Sequence, residues 1–244
     1  MKSLPILYQD EHLIVVNKPA GLLVHRSAID KFATEYAMQI VRNQLNRWVY
    51  LLHRLDKSTS GILMFALDKE SAKRMTELWT GGEIAKTYVA IVRGYAKENE
   101  RIDYPLKEHR DKMTDQDVNP DKPAQDAVTE YVRLACIELP HPVGRYETAR
   151  FSLIKASPLT GRNHQIRRHL KHIFHPIIGD TTYGDKKQNE FFLAKFNCHR
   201  SLLHASEIAF THPTTNAEIR ITAPVDAIFD SVLKALQWNS IITG

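Results

Sequence analysis

The chain has 244 residues, enough for one large domain or two small ones with a buried core. Hydrophobic residues make up 43% and charged residues 25%, a balance that excludes general disorder and a fibrous repeat. With 33 Lys and Arg against 28 Asp and Glu the net charge is +5, which permits a nucleic-acid partner without demanding one, because its meaning depends on where the charge sits.

The N-terminal apolar run from Leu4 to Leu7 is too short for a signal peptide. No stretch reaches the roughly 18 apolar residues of a membrane span, so a cytoplasmic location is expected. Leu13 to Asn17 reads as a strand stopped by Lys18-Pro19-Ala20-Gly21, and Leu22 to His25 resumes extended. Ala33, Tyr36, Ala37, Ile40, Val41 and Leu45 recur at helical spacing. Val49 to Leu52 and Ile62 to Leu67 form two strand patterns around a polar connection, His53 to Gly61. Asp68 is placed to cap a helix through Thr80 with Ala72, Met75 and Trp79 inward, stopped by Gly81-Gly82. Lys86 to Gly94 is a strand with apolar residues on both faces, so both touch something. Residues 97–126, rich in acids and prolines, read as a long solvated excursion. Strand patterning returns at Asp126 to Leu134 and Arg150 to Lys155. His164 to Phe174 is helical with Ile166, Leu170 and Ile173 inward, Leu202 to Phe210 is a strand, and Val225 to Leu236 a closing helix. Cys136 and Cys198 read as reduced structural thiols. With no clear linker, repeat or regular βαβ alternation, the expected architecture is α+β: one domain around a mixed, mainly antiparallel sheet flanked by helices and loops.

Two constellations concentrate chemistry. In His53-Arg54-Leu55-Asp56-Lys57-Ser58-Thr59-Ser60-Gly61, Asp56 has basic neighbours and no like charge nearby. That setting favours an ionised nucleophile or base, although a carboxylate bracing a tight turn would leave the same pattern. From Gly161 to Gly179 there is no acid, against four Arg and Lys and four His. There the average charge becomes a local field, with Arg162 to His164 at a helix N-terminus that favours phosphate and with Arg167 and Lys171 on one face. A merely solvated basic face would carry interleaved signs. His164, His169, His172 and His175 offer a metal site, which the lack of a carboxylate before Asp180 and the surrounding cations oppose. An aspartyl-phosphate reading of Asp56 lacks a second carboxylate two positions on, and a glycosidase would need a pair of carboxylates.

Taken together the strings resemble the RluA-type pseudouridine synthase family over nearly the whole chain. Val16-Asn17-Lys18-Pro19-Ala20-Gly21 is similar to its first motif, and His53-Arg54-Leu55-Asp56 with Thr59-Ser60-Gly61 to its catalytic motif. Lys86-Thr87-Tyr88 resembles the strand with the active-site tyrosine. Gly161-Arg162-Asn163-His164-Gln165-Ile166-Arg167 with His169, then Pro176-Ile177-Ile178-Gly179-Asp180 and Tyr183-Gly184, is similar to the third motif. Leu203-His204-Ala205 and His212-Pro213 fit the closing strand. Within the family the chain looks nearest to members acting on uridine 65 of tRNA, on Val24-His25-Arg26-Ser27, Arg167-Arg168-His169-Leu170, the His175-to-Asp180 string and Gly144-Arg145-Tyr146. Arg168 departs from the general pattern, where many members carry a small apolar residue.

The resemblance implies a single pseudouridine synthase catalytic domain over residues 1–244, with no separate N-terminal RNA-binding domain. It implies an isomerase that uses no redox cofactor, nucleotide or metal. Asp56 is the implied essential carboxylate, adding to C1′ or removing a proton from C2′. Arg167 is its implied partner, and Tyr88 is implied to pack on the target base and help remove the C5 proton. Arg54 is the candidate to fill the space of the flipped base, and Arg162, Arg168 and Lys171 are candidates for phosphate contacts. The expected partner is tRNA, met by a monomer away from any membrane. Ribosomal RNA, another tRNA position and a non-catalytic RNA-binding module stand as the alternatives.

Overall fold

In the computed structural model the described residues are 3–25, 35–108 and 123–242. The strands are β1 (Ile6–Gln9), β2 (Leu13–Lys18), β3 (Tyr50–Leu51), β4 (Ser60–Ala66), β5 (Ala85–Arg93), β6 (Asn99–Asp103), β7 (Val128–Leu139), β8 (Ala149–Pro158), β9 (Leu203–Thr211) and β10 (Glu218–Thr222). The helices are α1 (Ala37–Leu45), α2 (Lys69–Gly81), α3 (Gln165–His172), α4 (Lys186–Phe196), α5 (Ala227–Ala235) and α6 (Asn239–Ile242). None among the described residues is long and apolar enough to cross a membrane. The chain gathers into two compact units. The first comprises Met1–Lys86, Leu106–Gln125 and Ala205–Pro224, and the second Thr87–Pro105, Asp126–His204 and Val225–Gly244. The α+β class and mainly antiparallel pairing expected from the sequence are what form.

In the first unit the apolar run Leu13 to Val16 is wholly buried, as an unbroken hydrophobic strand requires when both of its faces are covered. It pairs antiparallel with β4 from Leu13↔Ala66 to Lys18↔Gly61. β4 starts at Ser60 rather than Ile62, because Gly61 admits a backbone approach that any side chain would block. Its φ is +107°, and a Cβ there would overlap the carbonyl of Ala205 in β9. Asp68 caps α2 as expected, accepting from the Ser71 N–H at 2.8 Å. Burial opposes its ionisation, but bonds from the Ser71 backbone and hydroxyl and from His12 outweigh that and hold the carboxyl at about 2. Met75 and Ser71 are buried, whereas Ala72 and Trp79 are only half-buried. α1 starts at Ala37, later than the periodicity predicts, and Ala33, Arg26 and Ser27 lie outside the described residues. In the run after Gly21, Leu23 forms an isolated parallel bridge to Tyr36.

In the second unit the order is β5-β8-β7-β6. The two-sided character of β5 is real. Val89 and Ile91 join a cluster with Phe151, Leu153, Phe192 of α4 and Phe229 of α5, and Ala90 and Val92 join another with Ile166 and Leu170 of α3. Part of the supposed excursion is β6, paired with β7 from Asn99↔Val132 to Asp103↔Val128. Its one buried apolar residue, Ile102, is too little pattern to read, while exposed Arg101 meets Glu130 across the pair at 2.7 Å. Residues 109–122 of that excursion lie outside the described residues. α4 was also not expected. Asp185 starts it by accepting from the Lys187 and Gln188 N–H groups, and Phe192 buries its inner face.

Gly61→Ala should cost more than about 2 kcal/mol, combining left-handed strain with overlap on the Ala205 carbonyl. Urea unfolding of the variant against the parent measures it, and a loss below 0.5 kcal/mol, the usual surface scatter, contradicts the packing argument.

Candidate active site

Asp56 lies in the connection between β3 and β4, residues 52–59, and the first unit spends much of its polar chemistry on holding that connection still. Leu55 is buried beneath it, and Thr59 and Ser60 are buried at its end. The Thr59 N–H closes a turn on the Asp56 carbonyl at 3.1 Å. Lys18 has no exposed surface, and its ammonium donates to the carbonyls of Pro19 and Leu22 at 2.9 Å and Lys57 at 3.4 Å. The Gly21 N–H reaches the same Lys57 carbonyl at 2.7 Å. A buried cation satisfied by backbone oxygens thus ties the turn after β2 to the residue following Asp56. Asp56 is half-buried and Arg54 exposed.

His53 anchors the other end of the connection. The Met64 N–H donates to its Nε2 at 3.1 Å, which places the ring proton on Nδ1. Its ring stacks on Trp79 with centroids 4.5 Å apart, and the Lys86 ammonium lies 5.7 Å from the Trp79 ring centroid. Burial, together with the Lys86 charge and against the bond to the Arg54 backbone, pulls its pKa down to about 4. His53 is therefore neutral across the physiological range.

The second unit carries Tyr88, Arg162, Arg167, Arg168 and Lys171. Tyr88 is half-buried on β5 opposite Ala156 and packs on the cluster that holds Ile166 and Leu170, on the α3 side. Arg167 and Lys171 share a face of α3, at 5.0 and 5.8 Å from the Tyr183 ring centroid, but differ in depth. Lys171 is exposed, whereas Arg167 is 5% exposed and makes a bidentate pair with Asp180, Nε to Oδ2 at 2.7 Å and the second nitrogen to Oδ1 at 2.9 Å. Asp180 also accepts from the Thr182 and Tyr183 N–H groups. Burial works against its charge, but the Arg167 guanidinium and these donors hold its pKa below the ordinary carboxylate value. The Tyr183 ring lies 5.0 Å from the Arg167 guanidinium, and its hydroxyl meets His164 Nδ1 at 3.1 Å. Gly179 and Gly184 flank the pair, and a Cβ on either would overlap a backbone carbonyl, Arg200 or Asp180.

The segment before α3 is pinned by Gln165, which is buried. Its amide donates to the Val128 carbonyl and Thr129 hydroxyl and accepts from the Thr160 hydroxyl and the Arg162 N–H. Arg162 is exposed, with Nε on the Asp126 carbonyl at 3.0 Å, and Arg168 is half-buried. The four histidines read as a possible metal set have other partners. His169 bonds Thr129 Oγ1 and the Tyr104 carbonyl, His172 stacks on Tyr104, and His175 meets the Arg93 carbonyl. Among the described residues no group of three or more His, Cys, Asp and Glu is placed to hold a metal.

The predicted site residues thus divide, Arg54 and Asp56 in the first unit and the other five in the second. Lys18 and Asp180 were not anticipated as members of the site. Each stands in a motif string quoted above, Lys18 before Pro19 and Asp180 after Gly179, but the 13 residues between Arg167 and Asp180 give no sign that the two pair.

Residues 12–172 match the family model described as RNA pseudouridylate synthase. The chain is 47% identical over 98% of its length to tRNA pseudouridine synthase C of Haemophilus influenzae, covering 100% of that protein. It is 50% identical over 97% to the protein of the same name from Haemophilus ducreyi, again covering 97% of it. Among solved structures, human RNA pseudouridylate synthase domain containing 4 superposes with a TM-score of 0.72 at 26% identity, over 96% of this chain and 93% of that one.

Asp180→Ala removes the bidentate acceptor of a buried guanidinium and should cost about 3–5 kcal/mol in urea unfolding, while Arg167→Met with Asp180→Leu recovers part of that loss. An Asp180→Ala cost under 1 kcal/mol would show that the pair does not hold the loop. For His53 the unfolded chain binds a proton below about 6.5 and the folded chain only below about 4. Between those values the unfolded state holds more protons, so stability is full above about pH 6.5 and falls as pH drops toward 4, by roughly 3 kcal/mol. His53→Phe, which keeps a ring against Trp79, should flatten that part of the stability-against-pH curve.

Proposed function

The chain belongs to the RNA pseudouridylate synthase family, and on that footing we propose that it isomerises uridine to pseudouridine in tRNA, at position 65. The observation that carries this reading is the near-full-length likeness to relatives named tRNA pseudouridine synthase C. The position is taken from the resemblance of the motifs.

The reaction breaks the bond from N1 of uracil to C1′ of the ribose and joins C5 to C1′. One proton leaves C5 and one is gained at N1, so oxidation states balance without an external reductant, oxidant or nucleotide. Asp56 acts on the ribose, adding to C1′ or taking a proton from C2′; either course breaks the glycosidic bond. A connection clamped by Lys18, Gly21 and His53 supports this role, because a carboxylate acts on a sugar carbon only when held at near-attack distance. Arg167 is assigned to keep Asp56 ionised and oriented. Its buried pairing with Asp180 supports that assignment, since a guanidinium already fixed in direction loses little entropy on meeting a second carboxylate. Tyr88 packs on the turned-out base and helps remove the C5 proton, and Arg54 occupies the vacated stack. Arg162, Arg168 and Lys171 hold phosphates. The protein works as a monomer in the cytoplasm, where tRNA is processed.

The test is to map pseudouridines in tRNA and ribosomal RNA from cells with and without the gene. Loss should be confined to tRNA position 65, restored by the parent protein and not by Asp56→Asn. In vitro that variant should bind tRNA yet form pseudouridine about a thousandfold more slowly or worse. Loss from ribosomal RNA would reassign the substrate, and an active Asp56→Asn would remove Asp56 from its role.

A further inference from the structure

α3 ends in an unusual way. The residue that takes the left-handed conformation after its last turn is Phe174, at φ +64°, a position where glycine or asparagine is the ordinary choice. The strained turn is closed by the Phe174 N–H on the Lys171 carbonyl at 3.0 Å and the His175 N–H on the Leu170 carbonyl at 2.8 Å, with the His175 ring held on the Arg93 carbonyl. Its effect is to turn the phenyl ring outward. Phe174 is 81% exposed, the most exposed large hydrophobic residue among the described residues. An apolar ring presented to water on a backbone that disfavours it gains the fold nothing from burial.

Its surroundings indicate the kind of molecule it meets. Lys171 and His172 of the last helical turn are exposed, and the His172 ring stacks on Tyr104 with centroids 3.7 Å apart. Tyr104 is itself 43% exposed. From Gly161 to Gly179 there is no acid. The nearby acid on the facing strand is Asp103, whose field reaches His169. A cationic helix end with outward aromatic rings suits a polyanion that offers flat apolar faces, which is the chemistry of RNA rather than of an acidic peptide or an anionic membrane.

We infer that Phe174, with the Tyr104–His172 stack, is an RNA-docking surface on the second unit, on which an unpaired or stem-end base of the substrate stacks while Lys171 meets the adjoining phosphate. This deepens the tRNA reading above and rests on it. Asp56 acts on the target ribose, whereas Phe174 acts on a base that undergoes no reaction.

The experiment measures tRNA affinity across a salt series for the parent, Phe174→Gly, Phe174→Leu, Phe174→Trp and Lys171→Ala, together with thermal unfolding. Phe174→Gly should weaken binding between about fivefold and a hundredfold with the salt slope unchanged, while its melting temperature stays the same or rises because the strain is relieved. Phe174→Leu, apolar without a π face, should lose most of the same affinity, and Phe174→Trp should keep it. Lys171→Ala should lower the salt slope by about one. Parent-like binding by Phe174→Gly overturns the inference. So does concentration-dependent self-association that the variant abolishes, which would assign the ring to a second copy of the chain. A parent protein that neither binds tRNA nor forms pseudouridine would instead overturn the functional reading, so the two failures are distinct.

Discussion

Burying a guanidinium costs several kcal/mol unless every donor direction is met, and the region around α3 is organised by that demand. Arg167 is met by both oxygens of Asp180, which is in turn met by two backbone N–H groups in the turn that follows it. Such a turn forms only if the chain passes close to its neighbours, and the hydrogen side chains of Gly179 and Gly184 permit this. The aromatic ring of Tyr183 covers the pair, and its hydroxyl reaches back to His164 at the start of the helix. Charge, turn geometry and helix start are thus parts of one arrangement.

The first unit meets a similar demand by other means. Lys18 is as deeply buried as any residue in the protein, and its ammonium is solvated by carbonyl dipoles that the chain turns toward it. The two solutions suit the two side chains. A compact ammonium accepts oxygens from several directions, whereas a planar guanidinium calls for a carboxylate in its own plane. In each case a motif residue that looks like a surface charge in the sequence does its work inside.

That difference sets the limit of what the sequence discloses. The apolar runs of β2 and β4, the Asp68 cap and the two-faced strand at β5 were legible because each depends on neighbours within a few residues. β6 and α4 were not: the first has a single buried apolar residue and the second follows a charged start, Lys186-Lys187. The motifs of the candidate site were readable as strings and through the family they resemble. What the strings conceal is depth. Arg167 and Lys171 are four residues apart and do share a face, both lying against the Tyr183 ring, yet Arg167 is drawn inward while Lys171 stays exposed, because the acceptor for Arg167 arrives from a turn 13 residues later. Only the assembled chain supplies that acceptor.

The two faces of β5 differ in bulk as well as in partner. Val89 and Ile91 fill the side of α4 and α5, while Ala90 and Val92 leave room for α3. A strand slipped by one position exchanges its faces entirely, so the larger side chains would then be driven against Ile166 and Leu170 and the smaller ones would leave a void behind. The helix consequently acts as a gauge of strand register, admitting β5 in one alignment only. Tyr88 has the same parity as Ala90 and Val92, so the bulk of residues two and four positions away helps to decide which way it faces.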